Sequence, residues 1–278
     1  MKRIPLLSFV VVLAFALTAA GAAGDGGGPA SIKVGGQGVL APGGKLRYVA
    51  HLMNGERTKV SVVRARDGKL VRSRLVAGHV GVPIVGVDGT TDGISADGRT
   101  LVLASLPSVP QSGAASTRFA VIDTRTLRPR MIDLRGRWSY DALSPDATTL
   151  YLVEYLEPGP TPAYRVRAYD LASDRLLKRI IVDRVSKGAV MYGQAVTRAT
   201  SRDGRWAYTL YARERATPFV HALDTMRRHA RCVFLGRRLA IGKQLDLQLR
   251  LDGDELAVRG GGATVAVIDT TTFAVREG

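Results

Sequence analysis

One short pattern recurs along the chain and limits what it can become: a polar turn followed at once by an apolar run. It stands in Ser95-Ala-Asp-Gly-Arg-Thr-Leu-Val-Leu103, Ser144-Pro-Asp-Ala-Thr-Thr-Leu-Tyr-Leu152, Ser201-Arg-Asp-Gly-Arg-Trp-Ala-Tyr208 and Leu251-Asp-Gly-Asp-Glu-Leu-Ala-Val258. A weaker copy is Ala41-Pro-Gly-Gly-Lys-Leu-Arg-Tyr48. Each copy precedes a second pattern, an alternating run that ends in aspartate: Phe119–Asp123, Val166–Asp170, Phe219–Asp224 and Val265–Asp269, with Val60-Ser-Val-Val-Arg64 as the divergent first member. Short alternating runs bounded by Asp-Gly and Ser-Pro-Asp turns predict antiparallel strands.

Gly43, Asp97, Asp146, Asp203 and Asp252 mark the five units, spaced by 54, 49, 57 and 49 residues. That period suits four short strands per unit, a to d, and hence an all-β β-propeller of five four-stranded blades. In the third unit the strands are expected near 140–143, 150–154, 164–170 and 176–182. A lone four-stranded unit cannot bury both of its faces, so the ring has to close, here by packing between the first and fifth units without strand exchange.

The propeller accounts for residues 38–278, preceded by a flexible segment at 23–37 in which 29–37 has room for an edge strand. Residues 1–22 read as a secretory signal peptide: Lys2 and Arg3, an apolar run from Ile4 to Leu17, then small residues. The run falls short of the roughly 20 apolar residues a membrane span needs, so no transmembrane segment is expected after cleavage. The product is expected to be a monomer, secreted or held in the cell envelope. Cys232 is the sole cysteine, which excludes an intramolecular disulfide.

Ser144–Leu152 and Val265-Ala-Val-Ile-Asp-Thr-Thr-Thr272 resemble the YVTN-type propeller repeat, which is related to WD-repeat propellers. The likeness runs from about Leu40 to the C-terminus and concerns architecture. No Trp-Asp dipeptide occurs, and the turns do not match the Asp-box of sialidase-like propellers. The resemblance implies that ligands meet the end of the channel formed by d-to-a and b-to-c connections.

Two sets of candidates follow. Five residues before the Asp-Gly position stand Asp92, Asp141, Arg198 and Leu247, expected near the channel mouth. Two carboxylates and a guanidinium there read either as a polar ligand or cation site, with His79 nearby, or as groups that satisfy one another and the loop amides. The d-to-a loops carry Arg135, Arg137, Lys187, Arg237, Arg238 and Lys243, with Trp138, Tyr140 and Tyr192 among them. Arginine forks and aromatic faces suit an acidic glycan; the alternative is a solvated surface.

The net charge of +16, or +14 without Lys2 and Arg3, favours anionic partners. For an exported chain these are an acidic glycan, a wall polymer or a protein partner, with nucleic acid disfavoured. His51, His79, His221 and His229 are scattered, so no metal site is expected, and no cofactor fingerprint is present. The sequence reading is therefore a non-catalytic binding module. A propeller enzyme, a lactonase, lyase or hydrolase using Asp92, Asp141, His79 and Arg198, is the alternative.

Overall fold

A computed structural model describes residues 31–108, 114–156, 162–183, 190–237 and 239–278. The expected signal peptide, Lys187 and Arg238 lie outside them. The chain is all-β apart from one short helix, and its successive antiparallel sheets of four strands fit propeller blades.

The chain enters through β1 (Ser31–Lys33), within the segment expected to be flexible, and forms a first sheet from β2 (Val39–Leu40), β3 (Leu46–Met53), β4 (Arg57–Arg64) and β5 (Leu70–Ala77). Next come β6 (Val82–Ile84), which pairs with β1, and a sheet of β7 (Thr100–Ala104), β8 (Ser116–Asp123) and β9 (Pro129–Arg135). The third sheet runs β10 (Arg137–Leu143), β11 (Thr149–Tyr155), β12 (Ala163–Asp170) and β13 (Arg175–Ile181), and β14 (Met191–Tyr192) adds to β12. The fourth is β15 (Gln194–Thr200), β16 (Trp206–Ala212), β17 (Phe219–Asp224) and β18 (His229–Phe234). Helix α1 (Ile241–Leu245) leads to β19 (Gln248–Asp252), β20 (Glu255–Gly260), β21 (Ala263–Asp269) and β22 (Val275–Glu277).

The two sequence patterns are the two turns of each sheet, and they lock together. In the a-to-b turn, Ser95 Oγ donates to Asp97 at 2.6 Å while Asp97 accepts from the Arg99 amide at 2.9 Å. Ser144 with Asp146, and Ser201 with Asp203, repeat the serine-to-aspartate bond at 2.6 Å. In the c-to-d turn the strand-ending aspartate accepts the amides two and three residues on, as Asp170, Asp224 and Asp269 all do at 2.7–3.0 Å. The threonine after that aspartate reaches back across the sheet: Thr124 to Gly98 O at 2.7 Å, Thr225 to Gly204 O at 3.1 Å, Thr270 to Asp254 O at 3.0 Å.

Apolar residues of facing sheets form four buried clusters, joining sheets one to two, two to three, three to four and four to five. Among the described residues no cluster holds members of both the first and the fifth.

The second unit departs from the repeat. Its innermost strand is interrupted: Gly81 bridges Ala104, Ile94 bridges Leu101, and between them the chain turns out in a hairpin closed by Ile84 and Thr91. The tip crosses to the fourth sheet, where the Val87 and Asp88 amides donate to Ala195 O and Val196 O, each at 3.1 Å. At the other end Gly204 sits so close to Ala96 that a methyl on it would lie 2.9 Å from the Ala96 Cβ. The second and fourth sheets therefore touch past the third.

The a-to-b turn needs a left-handed residue at its fourth position. Gly98 (φ 71°), Gly204 (φ 73°) and Gly253 (φ 56°) supply it, and Ala147 takes the same conformation at φ 53°. A side chain there costs about 1–2 kcal/mol. Ala147→Gly is expected to raise unfolding free energy by about 0.5–1 kcal/mol, because it removes that strain and loses only one half-buried methyl. Gly204→Ala is expected to lower it by at least about 1 kcal/mol. Urea titration of both variants against the parent checks the pair.

Candidate functional site

Repetition places equivalent residues of the innermost strands around one axis, which is why Asp92, Asp141 and Arg198 converge. Asp92 precedes Gly93 where the interrupted strand of the second unit resumes, Asp141 lies in β10, and Arg198 lies in β15. Arg198 is the hub. Its side chain is 3% exposed, ion-paired to Asp141 and 3.6 Å from Asp92 Oδ2. It also donates to the Asp141 carbonyl, and from Nε to Thr209 Oγ1 at 3.0 Å. Asp92 accepts the Gly93 amide at 2.7 Å. Leu247, the fourth equivalent position, is buried in the apolar cluster between the fourth and fifth sheets.

Burial raises the Asp92 carboxyl above its usual range, opposed by the Arg198 charge and the Gly93 amide. Burial, then the negative charge of Asp92, pushes the Tyr140 phenol well above its ordinary value. For Arg198 burial works against the charge, but Asp141 and Asp92 outweigh it and raise the pKa. Asp92 and Tyr140 border a cavity of about 460 Å³ whose walls include Pro42, Ser95, Leu143 and Ser201. These residues come from the a-to-b turns of the first four units, at the opposite end from the loops that the propeller resemblance singles out.

His79 does not join the cluster. It is exposed, and its Nε2 lies 3.3 Å from the Met53 carbonyl on the first sheet. The loop residues divide. Arg135, Arg237, Lys243 and Tyr192 are exposed and Arg137 is half-buried. Trp138 and Tyr140 are not a surface platform, being 2% and 4% exposed. They alternate inward along β10, and the Trp138 indole N–H donates to Arg135 O at 2.7 Å. Lys243 rides on α1, in a connection read from sequence as loop; Gln244 beside it is buried and accepts the Arg213 amide at 2.7 Å. Cys232 is half-buried, and burial pushes its thiol up to about 12, which keeps it unreactive.

Two features escaped the sequence reading. His221 is fully buried inside β17, in a run that reads as an ordinary strand. The exposed apolar residues also favour one end of the molecule: of fourteen exposed large apolar side chains among the described residues, seven stand in or beside b-to-c and d-to-a connections, against four beside the turns of the opposite end. The seven include Leu52, Met53, Leu106, Leu156, Tyr192 and Phe234. Single exposed apolar residues are ordinary; large contiguous apolar patches are what mark contact sites.

No protein-family model and no curated protein matches the chain. Among solved structures it is similar to TolB from Acinetobacter baumannii (11% identity, TM-score 0.45), covering 85% of this chain and 52% of that one. It is similar to the tricorn protease at 13% identity and TM-score 0.47, over 86% of this chain and 26% of that one. A third is the β-propeller domain of Cps50 (Swd1) from Myceliophteria thermophila: 11% identity, TM-score 0.48, 87% of this chain and 68% of that one. The chain thus spans about half the length of the TolB structure and about a quarter of the tricorn structure.

Arg198→Met strands the buried Asp141 carboxylate and is expected to cost about 3–5 kcal/mol, with Asp141→Asn in the same chain restoring part of it. Denaturant midpoints of the single and double variants measure this. His221 is held below the usual imidazole value of 6.5 by burial, with Asp141 opposing and Arg198 assisting. The unfolded chain then binds the proton more readily, so stability falls as pH drops below 6.5, by at most about 1.4 kcal/mol per pH unit. Asp92, with its raised pKa, acts in the opposite sense, adding stability below 3.8 that is lost as pH rises through its folded value. The difference between the parent and His221→Leu isolates the histidine, and the variant is expected to lose the acid-side slope between pH 7 and 5.

Proposed function

We propose that the chain is an exported binding module, a five-bladed propeller of the YVTN type, that receives an acidic protein partner on its b-to-c and d-to-a face. The carrying observation is the concentration of exposed apolar side chains on that face, interleaved with arginine. Arg213 shows the pattern: its guanidinium lies 5.9 Å from the ring centres of both Phe219 and Phe234, and Phe234 is 47% exposed. Arg215 and Arg237 stand nearby in sequence with side chains 93% and 59% exposed. Leucine, methionine and phenylalanine offer dehydratable area, while arginine supplies long-range attraction and forks for carboxylates.

An acidic glycan or wall polymer would use the same charges but not the leucines, and burial of Trp138 and Tyr140 removes two of the three aromatic faces offered for sugar stacking. The enzyme reading is less well supported. Every nitrogen of the Arg198 side chain is already engaged by protein oxygens, and His79 stands apart. Among the described residues no helix is long and apolar enough to cross a membrane.

The test is fluorescence anisotropy with acidic amphipathic peptides and with an acidic polysaccharide, across a salt series. Peptide affinity is expected to fall at least tenfold in Leu156→Ser/Phe234→Ser and to be unchanged in Met226→Ser, on the opposite turns. Salt-sensitive binding of the polysaccharide that ignores the serine variants would move the assignment to an anionic polymer. No binding of either probe would remove the assignment.

A further inference from the structure

Four buried side-chain polar atoms have no hydrogen-bond partner among the described residues, and they belong to three residues: Asp141 Oδ2, Tyr164 Oη, and Nδ1 and Nε2 of His221. No other side-chain nitrogen or oxygen so deeply buried stands without a partner among the described residues, so their concentration at one place is informative. All three lie where the third and fourth sheets face each other, Asp141 on β10, Tyr164 on β12 and His221 on β17. Tyr211 links them: its ring stacks on Tyr164 at 4.9 Å between centres and stands edge-on to His221 at 6.4 Å. Tyr211 is near enough to influence the Tyr164 phenol, but no hydrogen bond of normal geometry joins the two. Exposure is 1% for Asp141, 0% for Tyr164 and 1% for His221.

We propose that these residues line a buried chamber that binds small, neutral hydrogen-bonding molecules, either water or a small polyol. The atoms define the chemistry. Asp141 Oδ2 only accepts, Tyr164 donates, and a neutral imidazole donates from one nitrogen and accepts at the other, so the occupant has both donors and acceptors. The two imidazole nitrogens point away from each other, which requires at least two small molecules or one with two separated hydroxyls. An anion is disfavoured by Asp141, and an added cation by Arg198. A metal ion does not fit, since the described residues contain no group of three or more His, Cys, Asp or Glu placed to hold one. Leaving such atoms dry costs about 1–3 kcal/mol each, so an occupied chamber is the lower state. Arg198, bonded to Asp141 on one side and near Asp92 on the other, stands between the chamber and the open cavity bordered by Asp92 and Tyr140.

Magnetic relaxation dispersion of water ¹⁷O and ²H on the full chain counts long-lived internal waters. The parent is expected to lose at least one such signal in Tyr164→Phe and in His221→Phe, and none in Tyr151→Phe. Glycerol titration, followed by the His221 ring ¹⁵N resonances of the parent, separates the sources: a saturable shift means a polyol enters, and no shift with the water signal intact means water is the occupant. Should the variants fail to fold, the parent still decides. Electron density or ¹⁵N shifts showing both imidazole nitrogens in direct bonds to protein groups, or no long-lived water and no glycerol response, would overturn the chamber.

Discussion

A twisted four-stranded sheet has two faces, and in this chain both are apolar over much of their area, so no unit can fold as a free sheet. The architecture depends on burying sheet faces against the next unit, as the four apolar clusters do from the first sheet to the fifth. Phe119, Trp138 and Tyr169 meet between the second and third sheets; Tyr151, Tyr211 and Phe219 meet between the third and fourth. Side chains of this size bring on the order of 1.5–3 kcal/mol each when removed from water, far more than any turn bond supplies. The turns serve a different end. They fix where each strand starts, and so which alternate residues point to which neighbour, because a slip of one residue would exchange the two faces.

That division of labour explains what was legible in the sequence. The serine, aspartate and threonine of the turns are local in sequence and bond locally, so their recurrence reveals the number and order of strands. The convergence of Asp92, Asp141 and Arg198 was legible for the same reason, since equal distances from equal turns reach equal depths on the axis. Burial along an alternating strand was less so. Trp138 and Tyr140 lie two residues apart in a loop-flanked stretch, and only the true start of β10 at Arg137 shows that they face inward.

The illegible features break the repeat or arise between units. Nothing local marks the hairpin from Ile84 to Thr91 as an interruption of an inner strand, because its contacts at Ala195 and Val196 lie more than a hundred residues away. The five residues of α1 are too few to show helical periodicity. His221 sits in a strand whose pattern of neighbours is that of any core strand, and its unusual environment comes from Asp141 on another sheet and from Arg198 and Tyr211 on its own.

The polar centre between the third and fourth sheets is where this fold stops being a simple stack. Replacing a buried arginine and its aspartates by aliphatic residues of similar volume is often neutral or stabilising, so the group is not explained by stability alone. Its geometry suggests orientation instead. Arg198 touches two other sheets at once, and its planar guanidinium can satisfy Asp141 and Thr209 together only when the third and fourth sheets stand at one spacing and twist. Apolar clusters tolerate sliding; a fork of charged hydrogen bonds does not. The loops of the b-to-c and d-to-a face are carried by these same sheets, so a registry fixed at the axis also fixes where Leu156, Tyr192 and Phe234 stand on that face.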